Sequence, residues 1–208
     1  MRTLYFGYIS PYSRKIRVVL AEKGLDYDPV TVQAAQADMS FNALNPARRV
    51  PAFVDGDQTL FESQVIVEYL LKTYRGNAEG APPFAETLCR PDHYFEDLLV
   101  LNAIETMLDS GLVLLQMRNN GITAEQSEYL GREAGRIQVI LDWLEARAKP
   151  EGFVPGTFSV QDMNLVITLQ WCDYRSMFDW SGRPNLQAIV TQYAQRPSLS
   201  STVPELAP

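Results

Sequence analysis

Histidine and cysteine, the residues that most often build metal and redox sites, are scarce in this chain. Its 208 residues include one histidine, His93, and two cysteines, Cys89 and Cys172. A single histidine excludes a metal site with several histidine ligands, and a Ser-His-Asp triad would have to form around His93 itself. The two cysteines stand too far apart in sequence for a CxxC motif or a disulfide framework. We therefore expect buried structural thiols and no bound metal.

Basic residues and long apolar runs are also in short supply. The chain carries 18 Lys and Arg against 25 Asp and Glu, a formal net charge of -7, and it has no basic run longer than Arg48 with Arg49. Phosphate contacts need clustered cations, so the composition argues against a nucleic-acid partner. The opening MRTLYFGYI is too short an apolar run for a signal peptide, and no stretch approaches the roughly 18 apolar residues of a membrane span. We expect a soluble, cytoplasmic protein with no membrane partner.

The first 76 residues alternate strand and helix patterns. A short apolar run, TLYFG, is followed by a helix start at Ser10 and Pro11 and then by an apolar helical face. A second strand near residues 27–32 completes a crossover unit, whose strands should be parallel. The segment VPAFVDGDQTLF predicts a hairpin, and residues 63–74 follow it with a helical pattern. Strand, helix, strand, loop or short helix, strand, strand, helix is the order of a thioredoxin-like domain.

A Gly- and Pro-rich segment separates this region from the rest of the chain. Residues 77–84 lack apolar periodicity, and we interpret them as a linker between a domain at 1–76 and a domain at 85–208. From residue 85 onward strand patterns give way to four long helical runs, and the final SLSSTVPELAP is expected to form a surface tail. The predicted fold class is α/β plus all-α: a thioredoxin-like domain (βαβ-ββα) followed by an all-helical domain.

The main chemical feature of the first domain is the helix start at Ser10. Pro11 fixes the first turn, and the free N–H groups and positive dipole end of the helix point back toward Ser10. An anion such as a thiolate is stabilised there, and a serine hydroxyl can donate one hydrogen bond to its sulfur. For a Ser-Pro pair on its own, an ordinary helix cap is much the commoner explanation of Ser10.

Two further pairs of residues could hold a ligand's backbone and head group. A cis bond between Val50 and Pro51 would present the backbone of Val50 to an extended peptide, whereas a trans proline would only start an edge strand. Glu62 and Ser63 stand at a helix start, where Ser63 can receive a carboxylate and Glu62 an ammonium group. This second pair fits an amino-acid head group, and it also fits a simple capped helix.

The segments SPYSRKIRVVLAEKGL, NPARRVPAFVDGDQTLFES and QVIVEYL, in this order, resemble the N-terminal domain of the cytosolic glutathione transferase family, in its bacterial-type, serine-containing class. The resemblance extends over essentially the whole chain. It implies that Ser10 contacts the glutathione sulfur and that Val50 with Pro51 pairs with the cysteinyl backbone. The pair Glu62 and Ser63 would hold the γ-glutamyl group.

Some roles stay open under this resemblance. Arg49 stands where family members often carry a cation near the glycine end of glutathione, and Arg48 could serve instead. Tyr8 and Ser13 are rivals of Ser10 for the contact with the thiol. Tyr8 precedes the helix, and Ser13 completes SPYS, which mimics a CxxC motif with oxygen in place of both sulfurs. The absence of cysteine at either place disfavours disulfide chemistry.

The second domain carries a helix-capping pattern in FSVQDMNL. Ser159 and Asp162 stand three positions apart ahead of an apolar helix, which is typical of a capping box. The segment also resembles the capping motif that glutathione transferases carry at the start of a core helix. We therefore predict that Asp162 serves folding.

The resemblance implies an enzyme that uses glutathione as co-substrate and conjugates its thiolate to a small, hydrophobic electrophile in detoxification. It also implies a homodimer. Because a fold does not fix a function, two alternatives stay open. One is a catalytically silent binding or regulatory module with the same fold, and the other is a glutathione-dependent isomerase or peroxidase.

Overall fold

In the computed structural model, which describes residues 1–33 and 41–205, four strands form one mixed sheet. They are β1 (Arg2–Phe6), β2 (Asp28–Thr31), β3 (Ala52–Asp55) and β4 (Gln58–Phe61), in the spatial order β2-β1-β3-β4. β1 and β2 are parallel, whereas β3 is antiparallel to both β1 and β4. Gly56, at a φ of 58°, permits the tight turn that joins β3 to β4.

The helices that lie entirely within the described residues are α1 (Pro11–Glu22), α2 (Phe41–Leu44), α3 (Ser63–Thr73), α4 (Tyr94–Asn119), α5 (Glu128–Glu145), α6 (Val160–Arg175), α7 (Pro184–Tyr193) and α8 (Pro197–Ser200). Short 3₁₀ turns at Pro91–His93 and Ala124–Gln126 precede α4 and α5. The order of strands and helices up to α3 is the predicted thioredoxin-like order. The loop or short helix expected after β2 falls partly on residues 34–40, which lie outside the described residues.

Side chains of the sheet alternate between two packed faces, as the period of a strand requires. On one face Phe6 lies under the Arg17 guanidinium of α1, with its ring centroid 5.3 Å from Cζ. Phe53 on the same face lies 6.5 Å, between ring centroids, from Tyr69 of α3. On the opposite face Tyr5 packs against Phe41 of α2, with 5.6 Å between the rings. The sheet therefore holds α1 and α3 on one side and α2 on the other.

The chain divides into two compact units. The first holds Met1–Leu88 together with the segment from Arg196 onward, and the second holds Cys89–Gln195. The sequence pattern instead placed a linker at 77–84 and assigned every residue from 85 onward to the helical domain. In the structure the proposed linker is fastened to the first unit, where the Ala78 N–H donates to the Glu22 carbonyl at 2.8 Å.

The C-terminal segment is not the surface tail that its composition suggested. Ser198, Leu199 and Thr202 are buried. They contact α1, which lies nearly the whole length of the chain away in sequence. A local sequence pattern cannot predict contacts over such a separation. The prediction of a tail is therefore wrong for these residues.

The second unit is helical, as predicted. One helical stretch of the described residues, Pro91–Asn119, is long and apolar enough to span a membrane. Within it Leu101, Ile104, Met107 and Leu108 are fully buried in the protein, a property of core helices in soluble proteins. Taken together, the two units confirm the predicted fold class.

Candidate functional site

Three chain segments meet the sheet at the same end. Tyr5 pairs with Ala52 and Ala52 pairs with Phe61, so these residues form one row across β1, β3 and β4. Beyond that row lie the candidate residues: Ser10 after β1, Val50 and Pro51 before β3, and Glu62 and Ser63 after β4. Segments that are far apart in sequence are thus gathered at one end of the sheet by strand register alone.

Ser10 caps α1 and keeps its hydroxyl hydrogen available. Its backbone is extended, with φ −69° and ψ 118°, and its Oγ accepts a hydrogen bond from the Ser13 N–H at 3.2 Å. A hydroxyl that accepts one bond can still donate its hydrogen, and no described residue accepts it. The first turn of α1 contains no acidic residue, so no local carboxylate neutralises the positive helix end. The arrangement suits an anion.

Gly7 brings Ser10 and Val50 together. A Cβ placed on Gly7 would lie 3.6 Å from the Ser10 Cβ, 3.7 Å from the Val50 Cγ2 and 4.0 Å from the Val32 Cγ1. Ser10 and Val50 therefore both border the space beside Gly7. Sequence reasoning did not single out Gly7, and its only signal was a glycine directly after a predicted strand.

The turn before β3 is organised by a residue that sequence reasoning missed. Asn45 is buried, its Nδ2 donates to the Arg49 carbonyl at 2.6 Å, and its Oδ1 accepts from the Ala47 N–H at 2.8 Å. The turn leads into the Val50-Pro51 peptide bond, which is cis. An Asn-Pro dipeptide marks a turn, but it does not say which carbonyl the amide will hold.

The two arginines ahead of Val50 are both exposed. Arg48 has a φ of 53°, in the left-handed region, and Arg49 follows it at the surface. Within the described part of the chain neither guanidinium has a hydrogen-bonded partner. Both are therefore available to an acidic group of a ligand.

Glu62 and Ser63 stand where β4 passes into α3. Glu62 has φ 67° and ψ 119°, a sparsely populated backbone conformation that costs a residue with a Cβ about 1 to 3 kcal/mol. Its carboxylate is exposed, while Ser63 begins α3 and is buried. Neither side chain is hydrogen-bonded to any residue that the structure describes. Backbone strain of this kind is most often found at ligand sites.

The two rivals of Ser10 have different surroundings. Ser13 is fully buried, and its Oγ accepts a hydrogen bond from the Gly7 N–H at 3.3 Å. Tyr8 is half-buried, and its ring stacks edge-on against Phe6 at 5.0 Å and lies 5.7 Å from the Cζ of Arg17. Ser13 thus holds the loop between β1 and α1, and Tyr8 packs beside the middle of α1.

The scarce histidine and the two cysteines belong to the second unit, whereas the candidate residues belong to the first. His93 Nδ1 lies 2.9 Å from Glu96 Oε2 at the surface. Both cysteines are buried, and burial raises the pKa of the Cys172 thiol to about 11. Among residues 1–33 and 41–205 no group of three or more His, Cys, Asp or Glu side chains could hold a metal ion.

The predicted capping box at Ser159 is confirmed. Ser159 Oγ accepts from the Asp162 N–H at 3.1 Å, and the Asp162 Oδ2 accepts from the Ser159 N–H at 3.1 Å. Its Oδ1 also accepts from the Phe153 N–H at 2.9 Å. Burial raises the pKa of Asp162 to about 6, against the opposing effect of these hydrogen bonds.

Comparison with known proteins identifies the family. Residues 4–78 match the model of the glutathione S-transferase N-terminal domain. The chain is 39% identical to glutathione S-transferase Z1 of Arabidopsis thaliana, over 99% of this chain and 92% of the relative. A glutathione S-transferase from Methylobacillus flagellatus, solved with GSH bound, superposes with a TM-score of 0.77 at 27% identity, covering 99% of this chain and 100% of that one. A stringent starvation protein A homolog of Coxiella burnetii is 47% identical over 68 residues, 33% of this chain and 32% of the relative. The full-length match agrees with the sheet order, and the chain belongs to the cytosolic glutathione S-transferase family.

Proposed function

We propose that this family member is an active glutathione transferase that conjugates the thiolate of glutathione to a small, hydrophobic electrophile. The observation that carries the proposal is the row formed by Tyr5, Ala52 and Phe61, which gathers the three candidate segments at one end of the sheet. The GSH-bound relative from Methylobacillus flagellatus, which matches the whole chain, supports glutathione as the ligand.

In the proposed complex, glutathione lies extended beside β3. The backbone of Val50 pairs with the cysteinyl residue, as an added strand would. The carboxylate of the γ-glutamyl group lies at Ser63 and the N-terminus of α3, and its ammonium group lies at the exposed Glu62 carboxylate. Arg49, or Arg48 beside it, pairs with the glycine carboxylate.

The thiol of glutathione ionises at the N-terminus of α1. Ser10 donates its hydroxyl hydrogen to the sulfur while its Oγ keeps the bond from the Ser13 N–H, so the two contacts do not compete. The proton leaves to solvent, because a serine hydroxyl is too weak a base to hold it. The thiolate then forms the new carbon–sulfur bond, and the leaving group departs with its electron pair.

Ser10 is preferred over both rivals on the surroundings of the three hydroxyls. The Ser13 hydroxyl is buried and already bonded to Gly7, and the Tyr8 ring is packed against Phe6 and Arg17. Ser10 alone combines a half-buried position with the free positive end of a helix. The serine-containing class follows from this choice and is part of the proposal.

A second candidate function is a binding or regulatory module without transferase activity. The observation that favours it is the stringent starvation protein A homolog, a relative that is not named a transferase although it is 47% identical over its matched 68 residues. Such a module could share every feature of the fold described above.

Calorimetric titration with glutathione separates the two candidates. We expect the wild type to bind, and we expect Glu62→Gln to weaken binding about tenfold through loss of the charge pair with the ammonium group. Ser127→Ala is the matched control, because Ser127 caps α5 of the second unit with a bond from the Leu130 N–H at 3.5 Å. Absence of binding by the wild type would favour the module.

Assembly and location form a further part of the proposal: a cytoplasmic homodimer with a role in detoxification. Exposed apolar side chains on α3 and α4 support the dimer, namely Val65, Tyr94, Phe95 and Leu99. Light scattering should give twice the mass of one chain for the wild type, and Phe95→Asp should shift the protein to the mass of one chain. A monomeric wild type would contradict the dimer.

A further inference from the structure

Three charged residues of α1 are buried, which is rare for charged side chains: Arg14, Lys15 and Glu22. Arg14 is 1% exposed and Glu22 is 4% exposed. They are eight positions apart, which places them about 12 Å from one another along the helix. Both make hydrogen bonds with the C-terminal segment 196–202, which we call the C-terminal clasp.

At the far end of α1, the clasp holds Glu22 through Arg196 and Ser198. Arg196 Nε donates to Glu22 Oε1 at 2.6 Å, and Arg196 Nη2 donates to Oε2 at 2.7 Å. Ser198 Oγ also donates to Oε1. Nη2 of Arg196 additionally donates to the Pro82 carbonyl at 2.7 Å. The bidentate geometry fixes the position as well as the charge of the pair.

At the near end of α1, the clasp holds Arg14. Its Nη2 donates to the Leu199 carbonyl at 2.9 Å, and its Nε donates to Thr202 Oγ1 at 3.2 Å. The Thr202 hydroxyl in turn donates to the Ser198 carbonyl at 2.7 Å, which ties the two ends of the clasp to each other. Arg14 is one turn from the site, because its N–H donates to the Ser10 carbonyl at 3.0 Å.

We propose that the C-terminal clasp is a positioning element for Ser10: by fastening α1 at Arg14 and Glu22, it fixes the helix end at which the glutathione sulfur is bound. The proposal rests on the proposed role of Ser10. Reactive groups must be held within about 0.5 Å of their working geometry, so a helix that can shift at Arg14 would misplace the hydroxyl. Arg14, Glu22, Arg196 and Thr202 are thus positioning residues, which act on the sulfur through Ser10 without touching it.

The test uses two clasp variants, Arg196→Ala and the milder Thr202→Val, which keeps the shape of the side chain and removes the acceptor for Arg14. Asp55→Asn is the matched control. Asp55 accepts hydrogen bonds from Tyr69 at 3.2 Å and from Tyr74, a network in the same unit that does not include α1. Every variant is measured where thermal unfolding shows it to be folded, and if Arg196→Ala does not fold, Thr202→Val decides.

Two readouts are compared among these variants. Hydrogen exchange follows the Arg14 amide of the free protein, and thiolate absorbance against pH follows the thiol of bound glutathione. In both clasp variants we expect exchange about tenfold faster. We expect a rise of about half a unit to one unit in the pKa of the bound thiol. We expect kcat to fall more than KM changes, and Arg196→Lys to restore part of each loss.

The proposal fails if the folded clasp variants match the wild type in both readouts. It also fails if Asp55→Asn, at an equal loss of thermal stability, changes the exchange rate and the thiol pKa as much as they do, because the effect would then be one of stability alone. If the wild type binds no glutathione, the proposed function fails instead, and the exchange measurement still decides whether the clasp holds α1.

Discussion

Each unit of this protein contains a helix that begins at a serine cap. The two caps differ in whether the third residue of the helix returns a hydrogen bond to that serine. Ser10 and Ser159 both accept a hydrogen bond from the N–H of the third helical residue, Ser13 at 3.2 Å and Asp162 at 3.1 Å. Asp162 accepts from the Ser159 N–H and closes the end of α6, whereas the Ser10 N–H donates to the Gly7 carbonyl at 3.1 Å and Ser13 turns its hydroxyl to the Gly7 N–H. No carboxylate therefore stands in the first turn of α1, and in this sense its end is open. One residue thus separates a cap that serves folding from a cap that we propose serves an anion.

The largest effect is expected from removing the residue that closes the α6 cap. Asp162→Ala should lower the free energy of unfolding by about 3 to 4 kcal/mol, because it leaves the buried Ser159 N–H and the partly buried Phe153 N–H without their charged acceptor. Denaturant unfolding measures the change. Asp142→Ala is the control, since its exposed ion pair with Arg183 should contribute less than about 1 kcal/mol. Equal losses in the two variants would contradict a special role for the closed cap.

The closed cap should also make stability depend on pH. Burial raises the pKa of Asp162 from its ordinary 3.8 to about 6, so the folded state binds its proton more tightly than the unfolded state does. The stability that this proton adds is complete below about pH 4 and is lost as the pH rises through about 6. The difference in unfolding free energy between wild type and Asp162→Asn should therefore fall by at most about 3 kcal/mol between pH 4 and 7. A difference that stays flat or rises would refute this assignment.

The open cap can be closed by giving α1 the residue that α6 has. Ser13→Asp places a carboxylate where it can accept the hydroxyl hydrogen of Ser10, as Asp162 Oδ2 accepts that of Ser159 at 2.5 Å, while the Ser10 N–H keeps its bond to the Gly7 carbonyl. We expect glutathione affinity to fall about tenfold and the pKa of the bound thiol to rise, because the added charge repels a thiolate. Calorimetry compares this variant with Ser13→Asn, which has nearly the same size and no charge. Equal affinities in the two variants would show that a negative charge at this end of α1 does not weaken glutathione binding.

The smallest effect is expected from Ser13→Ala. It removes the acceptor of the Gly7 N–H, and we expect a loss of about 1 kcal/mol in the free energy of unfolding. Glutathione affinity should stay within about twofold of the wild type, since the hydroxyl is buried away from the ligand. A tenfold loss of affinity in a folded variant would instead make Ser13 a ligand contact.

Much of the fold followed from the sequence because its signals are local. A helix cap such as Ser159 with Asp162 and a hairpin turn such as Gly56 depend on residues only a few positions apart, and both were found where predicted. The candidate residues after β1, before β3 and after β4 could be named for the same reason. Each of them sits at the start or end of a predicted element.

The parts that sequence reasoning missed are made by contacts between distant residues. Gly7 could not be linked to the candidate site from the sequence, because Val50 approaches it only when β1 pairs with β3. The sequence predicted a surface tail for the C-terminal clasp, because the residues of α1 that it contacts are 174 and 185 positions away. A Ser- and Thr-rich segment predicts a loop, and only the folded sheet and helices show which buried charge it satisfies.

The central claim is that the open cap at Ser10 stabilises a thiolate, and the pKa of the glutathione thiol in the complex tests it most directly. Thiolate absorbance is followed against pH for glutathione bound to the wild type and to Ser10→Ala, with Ser127→Ala as the control. We predict a pKa well below that of free glutathione in the wild type and the control, and a rise of about one unit or more in Ser10→Ala. An unchanged titration in a folded, glutathione-bound Ser10→Ala protein would contradict the claim.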